Sequence, residues 1–236
     1  MKLEHIFTHT DWCKFFTIKQ RLNPKFWTGF DLKVVVQNKV LKIVNEFIEK
    51  NELGEHVSDI VLMGSMCDTI YTNKSDVDVH IVLNVQETSD VFVAVKNACR
   101  LFNMERNIYI YNHKVEINPQ TKKLTDTSKN AAIYSVAKKK WIRRPVEHEL
   151  SQETRKEINT MCNTMMNRIH KATKAKSITQ LKKIATELKE ERKSSVAKEG
   201  ELAVYNIMFK CLRNKSIIDE LFLLIDELED KKLSLK

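Results

Sequence analysis

The chain has 236 residues, 42% of them hydrophobic and 30% charged, with a formal net charge of +9 at pH 7. This length and balance suit one globular domain or two small ones with a real core, and no apolar run approaches the length needed to span a membrane. The five cysteines are an odd number, widely spaced and without a Cys-x-x-Cys pair, which excludes a disulfide framework and reads as reduced thiols, with Cys67 the one close enough to the Gly-Ser turn to be reactive.

Glu4, His5 and Asp11 interrupt any signal-like segment, so a cytoplasmic location is expected. Residues 1–30 are rich in aromatics and weakly periodic, broken at Asn23-Pro24, and read as irregular structure or short helices wrapping the domain. Asp31 is placed to cap a helix running to about Lys50, because Val34, Val35, Leu41, Val44, Phe47 and Ile48 recur on one helical face. Leu53-Gly54 is its stop signal. A strand ending Val61-Leu62-Met63 then leads into a Gly64-Ser65 turn that can open a short helix. The polar loop Thr72-Asn73-Lys74-Ser75 precedes a second strand, Asp76-Val77-Asp78-Val79-His80-Ile81-Val82-Leu83.

Thr88-Ser89-Asp90 opens a second helix that reaches about Phe102. Asn107–Tyr111 and Lys114–Asn118 read as strands joined tightly at Asn112-His113. Ile133–Ala137 and Trp141-Ile142, separated by three lysines, suit a hairpin better than a helix, and Pro145 closes the domain. From about Leu150 the pattern is helical, with breaks near Lys176-Ser177, Ser194-Ser195 and Asn214, and with an amphipathic last helix that carries Leu221, Leu224, Ile225 and Leu228. The expected fold is α+β: a small mixed sheet flanked by helices over residues 1–146, followed by a helical, basic domain over 147–236. Between Lys138 and Ser195 there are sixteen Lys or Arg against seven Asp or Glu, a surplus that suits nucleic acid or a triphosphate, or else a solvated helical surface.

Carboxylates inside an apolar strand are costly unless paired or bound to a metal. Alternation along a strand places Asp76 and Asp78 on one face with Cβ atoms roughly 6–7 Å apart, a spacing that suits oxygen ligands around divalent ions. Val77, Val79 and Ile81 face the other side. His80 shares the carboxylate face and is expected to hydrogen-bond a carboxylate in preference to ligating metal. Gly64 allows a phosphate to approach the backbone, Ser65 adds a hydroxyl, and Lys74 and Ser75 lie where a phosphate could be touched.

Gly-Ser, a spacer of ten residues and Asp-Val-Asp-Val resemble the fingerprint of the DNA polymerase beta nucleotidyltransferase superfamily. Within it the chain is most similar to nucleotidyltransferases of tailed bacteriophages. The similarity runs through Phe26-Trp27, the strand Ser75-Asp76-Val77-Asp78-Val79-His80-Ile81-Val82, Tyr134-Ser135 and Lys140-Trp141-Ile142-Arg143-Arg144-Pro145. It covers roughly residues 24 to 145 well.

This resemblance implies attack of an acceptor hydroxyl on the α-phosphate of a nucleoside triphosphate, ATP being favoured, with loss of pyrophosphate. Asp76 and Asp78 would hold two Mg2+ ions, with Mn2+ as a substitute. Glu116, a carboxylate in the strand Val115-Glu116-Ile117 where the superfamily usually has Asp, would be the third ligand. Tyr134, Ser135, Lys140 and Arg143 would join Gly64, Ser65, Lys74 and Ser75 in holding the nucleotide. The acceptor is left open between an RNA 3′ end, tRNA included, favoured by the basic segment, and a protein or small-molecule hydroxyl. A catalytically silent nucleotide- or RNA-binding module is the reading from another class. A sugar-nucleotide transferase would need a long βαβ nucleotide-binding domain that the sequence does not contain. If the chain is phage-encoded, its compartment is the host cytoplasm.

Overall fold

The computed structural model describes residues 10–123 and 131–234. It is a mixed α+β chain with a six-stranded sheet, a two-stranded sheet and helices at the C-terminus. Two compact units are present: Ile18–His148, and a second made from Met1–Thr17 together with Glu149–Lys236. The change of unit at Glu149 lies close to the expected boundary, whereas the segment through Thr17, expected in the first domain, belongs with the helices. No helix among the described residues is long and apolar enough to cross a membrane.

In the first unit, β1 (Trp27–Thr28) and β2 (Asp31–Leu32) form a small antiparallel ribbon ahead of α1 (Val34–Lys50). Asp31 is therefore held in the ribbon and does not cap the helix; Lys33 occupies the N-cap position without a side-chain bond. Helix α1 buries Val36, Val40, Ile43, Val44 and Phe47 at helical spacing, while Val34 and Val35, expected on that face, are exposed. The larger sheet contains β3 (Val57–Met63), β4 (Val77–Leu83), β5 (Tyr109–Ile110), β6 (His113–Thr121), β7 (Ile133–Ser135) and β8 (Lys140–Arg143) in the order β5-β6-β4-β3-β7-β8. Strands β4 and β6 are parallel, which demands a long crossover, and α2 (Asp90–Glu105) lies between them in the chain. All other neighbouring strands are antiparallel.

Helix α2 begins as expected, with Ser89 Oγ accepting the Phe92 N–H at 3.2 Å. The β5–β6 turn falls at Tyr111–Asn112, one residue before the expected place, with φ of 49° and 69° at the two central residues. Positive φ at both positions is the signature of the hairpin turn whose twist matches the strands. The expected β7–β8 hairpin is present.

Period-two alternation sorts the sheet into two faces. One packs Ile60, Leu62, Val77, Val79, Ile81, Val115 and Ile117 with the buried faces of α1 and α2 in the main core. The other carries a smaller cluster of Val61, Met63, Val82 and Ile133. Where β5 stops short, the edge of β6 is covered by Asn103 of α2. Its Nδ2 donates to the Ile117 carbonyl and its Oδ1 accepts the Ile117 N–H, both at 2.9 Å.

The second unit packs α3 (Gln152–Lys174), α4 (Ile178–Glu199), α5 (Val204–Asn214) and α6 (Ile217–Leu233). The expected breaks near Lys176-Ser177 and Asn214 are present. Ser194 and Ser195 instead lie inside α4, which ends at Gly200 with φ of 89°. Trp12, fully buried, anchors the N-terminal segment: its indole Nε1 donates to Asn163 Oδ1 at 2.8 Å. In the interior Lys210, 2% exposed, donates to Glu201 Oε2 at 3.0 Å.

Replacing Asn103 with Ala leaves the Ile117 N–H and C=O unpaired on the sheet edge. The expected cost is about 1–3 kcal/mol of stability, read by denaturant unfolding, and an unchanged midpoint would show that water serves this edge equally well.

Candidate active site

Gly64 stands at the end of β3 with φ of +71°, a conformation that favours glycine. A Cβ built on it would lie 2.1 Å from Asp78 Oδ2. Backbone conformation and space thus exclude a side chain here independently, and the carboxylate of β4 rests against the Gly-Ser turn. Antiparallel register pairs Met63 with Asp78, and parallel register pairs Asp78 with Glu116 on β6. Since residues in register share a face and neighbouring strands lie about 4.8 Å apart, two of the three expected carboxylates stand side by side at one end of the sheet. Asp76 precedes β4 by one residue, so strand alternation does not place it beside Asp78.

The expected helix after Gly64 is a single 3-10 turn, Gly64–Cys67. Ser65 Oγ donates to Ser75 Oγ at 2.8 Å, and Ser75 Oγ also accepts the Thr72 N–H at 2.9 Å. Ser75 is only 2% exposed, so this residue, expected at the nucleotide, organises the loop from inside. Lys74 is partly buried, its N–H donating to Thr72 Oγ1 at 3.2 Å. The Ser75 carbonyl, immediately before Asp76, accepts from His113 Nδ1 at 2.7 Å, which makes Nδ1 the protonated ring nitrogen. The His113 ring meets the edge of Phe26, centroids 5.6 Å apart. One histidine at the start of β6 therefore ties the carboxylate loop to the strand that carries Glu116.

The remaining expected residues divide into interior and surface. Tyr134 is buried in the core, edge-on to Trp27 and Trp141 with centroids 5.1 and 5.2 Å away, and acts there as a packing residue. Ser135, fully buried, donates to Asp59 Oδ1 at 2.8 Å and accepts the Lys138 N–H at 3.0 Å. Lys140 is exposed on β8 opposite Ser135, and Arg143 is registered opposite Ile133, so both lie on the strand three places from Asp78. His80 lies opposite Val61 on the carboxylate face; burial lowers its pKa to about 4, which keeps the ring neutral, and its Nδ1 is buried without a hydrogen-bond partner.

Sequence reasoning overlooked Asp59, which is 6% exposed and satisfied by Ser135, by the Ile60 N–H and by Lys138 Nζ at 2.8 Å. The signal was available, since Asp59 is a second charge in a buried strand. It also overlooked the buried pair of Asp68 with His148, 2.8 Å apart. Cys67 is fully buried, and burial, followed by the negative charges of Asp78 and Asp68, pushes its thiol well above the ordinary range. The reactive reading of Cys67 is thereby replaced by a packing role.

Among the described residues no three His, Cys, Asp or Glu side chains gather in a metal-holding arrangement. The donor chemistry of the Asp78–Glu116 pair, two carboxylates in register on neighbouring strands, fits a hard divalent cation. Comparison of the sequence with protein-family models and with curated proteins gave no match.

Gly64→Ala is expected to lose about 1–3 kcal/mol, because it combines positive-φ strain with an overlap on Asp78. Thermal unfolding measures it, and wild-type stability would mean that Asp78 swings aside freely. Cys67 is expected to resist maleimide in the folded protein and to react once urea unfolds it; labelling at Cys67 in the native state would contradict its burial.

Proposed function

We propose that this chain is a metal-dependent nucleotidyltransferase. The observation that carries the reading is the registered pair Asp78 and Glu116, with Gly64 packed against Asp78 at the end of the adjoining strand. Asp78 and Glu116, joined by Asp76 from the loop, would hold Mg2+, which when bound neutralises phosphate charge and lowers the acceptor hydroxyl pKa.

In this reading Gly64 lets the β- and γ-phosphates approach the backbone and Ser65 offers its hydroxyl to them. The acceptor oxygen forms a bond to the α-phosphorus as the bond to the bridging oxygen breaks, and pyrophosphate departs with that electron pair. Glu116 takes the acceptor proton. Lys140 and Arg143 supply positive charge on the outer strand. Tyr134, Ser135 and Ser75 are given supporting roles, because all three are buried and engaged. An RNA 3′ end is the favoured acceptor on the strength of the cation surplus after Lys138.

A second reading, a silent nucleotide- or RNA-binding module, draws on the absence of a gathered three-ligand cluster among the described residues. Pyrophosphate release separates the two. With Mg2+ and each ribonucleoside triphosphate, with and without total RNA, the wild type is expected to release pyrophosphate. Asp78→Ala is expected to fall to background while its melting temperature holds, because removing one of two like charges in register relieves their repulsion. Nucleotide binding without any release would favour the silent module, and a strongly lowered melting temperature in Asp78→Ala would make the acid structural.

A further inference from the structure

On the first unit, the N-terminal half of α1 and the β5–β6 hairpin enclose a groove of about 420 Å3 lined by Val35, Lys39, Lys42, Tyr109, Ile110 and Tyr111. Three of its apolar side chains are well exposed: Val35 at 60%, Tyr109 at 53% and Tyr111 at 45%. The charged side chains of the lining are both lysines. Tyr111 holds φ of 49° at the first central position of a turn that ordinarily takes Asn or Gly. An aromatic ring is thus kept at the hairpin tip against a backbone preference. Phe26 supports it from one side, centroids 5.8 Å apart and nearly perpendicular.

We propose that this groove binds single-stranded nucleic acid, with bases stacking on Tyr109 and Tyr111 and phosphates meeting Lys39 and Lys42. Aromatic faces interleaved with cations are what such strands require, since every base has a face to stack and every linkage an anion. The other occupants fit less well. An added peptide strand would find only two residues of β5 to pair with. A second copy of this chain would bring its own +9 charge onto Lys39 and Lys42.

Tyr111 precedes Glu116 by five residues in the same hairpin, so the groove is built on the strand pair that carries one of the paired carboxylates. The inference deepens the transferase reading by naming a polynucleotide acceptor. It is tested by binding alone, so the two can fail separately.

The experiment is fluorescence anisotropy of a labelled single-stranded RNA dodecamer with the full chain. Wild type is expected to bind with a salt-dependent affinity. Tyr109→Ser and Tyr111→Asn are each expected to weaken binding roughly tenfold by losing a stacked base. Circular dichroism should be unchanged in both, and melting unchanged in Tyr109→Ser, since Tyr109 is exposed and Asn tolerates positive φ at 111. Lys39→Glu combined with Lys42→Glu should weaken binding and flatten the salt dependence. Binding that survives these substitutions but is lost in Lys183→Glu with Lys193→Glu would place the strand on α4 and overturn the proposal. It would equally be overturned by a wild type that binds no RNA, or by one that sediments as a dimer dispersed by Tyr109→Ser. RNA binding through the groove without pyrophosphate release would sink the transferase reading and leave this one standing.

Discussion

The constraint around which the site end of the sheet is arranged is the close approach of Asp78 to Gly64, which leaves no room for a side chain on the glycine. A carboxylate oxygen fills the space where any other residue would carry its Cβ, so the end of β3 and the start of β4 form one object. The surroundings are built outward from it. Ser65, next along, is joined through its hydroxyl to Ser75, and the Ser75 carbonyl is held by His113. Three segments distant in sequence are fixed by short polar bonds in a region from which most water is removed, where such bonds are strong and their loss is costly.

The second face of the sheet carries several carboxylates. Asp59 is surrounded by donors of this chain: a serine hydroxyl, a backbone N–H and a lysine. Asp78 and Glu116 stand beside each other in register, and like charges at that separation oppose the pairing of their strands. The neutral ring of His80 adds no charge to this face. Negative charge is thus concentrated at one end of this face, while the opposite face packs the main core against α1 and α2.

Much of this was legible because it rests on period and spacing. The runs Ile60–Met63 and Val77–Leu83 are apolar enough to be buried strands, and Ser89 opens α2 as a cap should. Asp31 misled because a cap residue and a ribbon residue look alike until β1 and β2 are paired. Ser194-Ser195 suggests a break, but α4 continues through both serines and stops where Gly200 takes a positive φ. At the site, the Gly-Ser turn and Asp78 followed from local sequence. Tyr134 and Ser135 did not, because a buried aromatic and a ligand-facing one share the same letters. Lys138 meets Asp59 across 79 positions of sequence, a separation over which no periodicity speaks.

The grouping of Trp12 with α3 and α5 carries a consequence for how the protein is born. Trp12, Cys13 and Phe16 leave the ribosome early, yet Asn163 and the other side chains that enclose them are made only after the whole sheet unit has been translated. For all that interval the sheet unit can be complete while an aromatic segment ahead of it has no shelter. Vectorial synthesis thereby separates the making of this segment from the making of its partners, and its burial waits for α3 and α5.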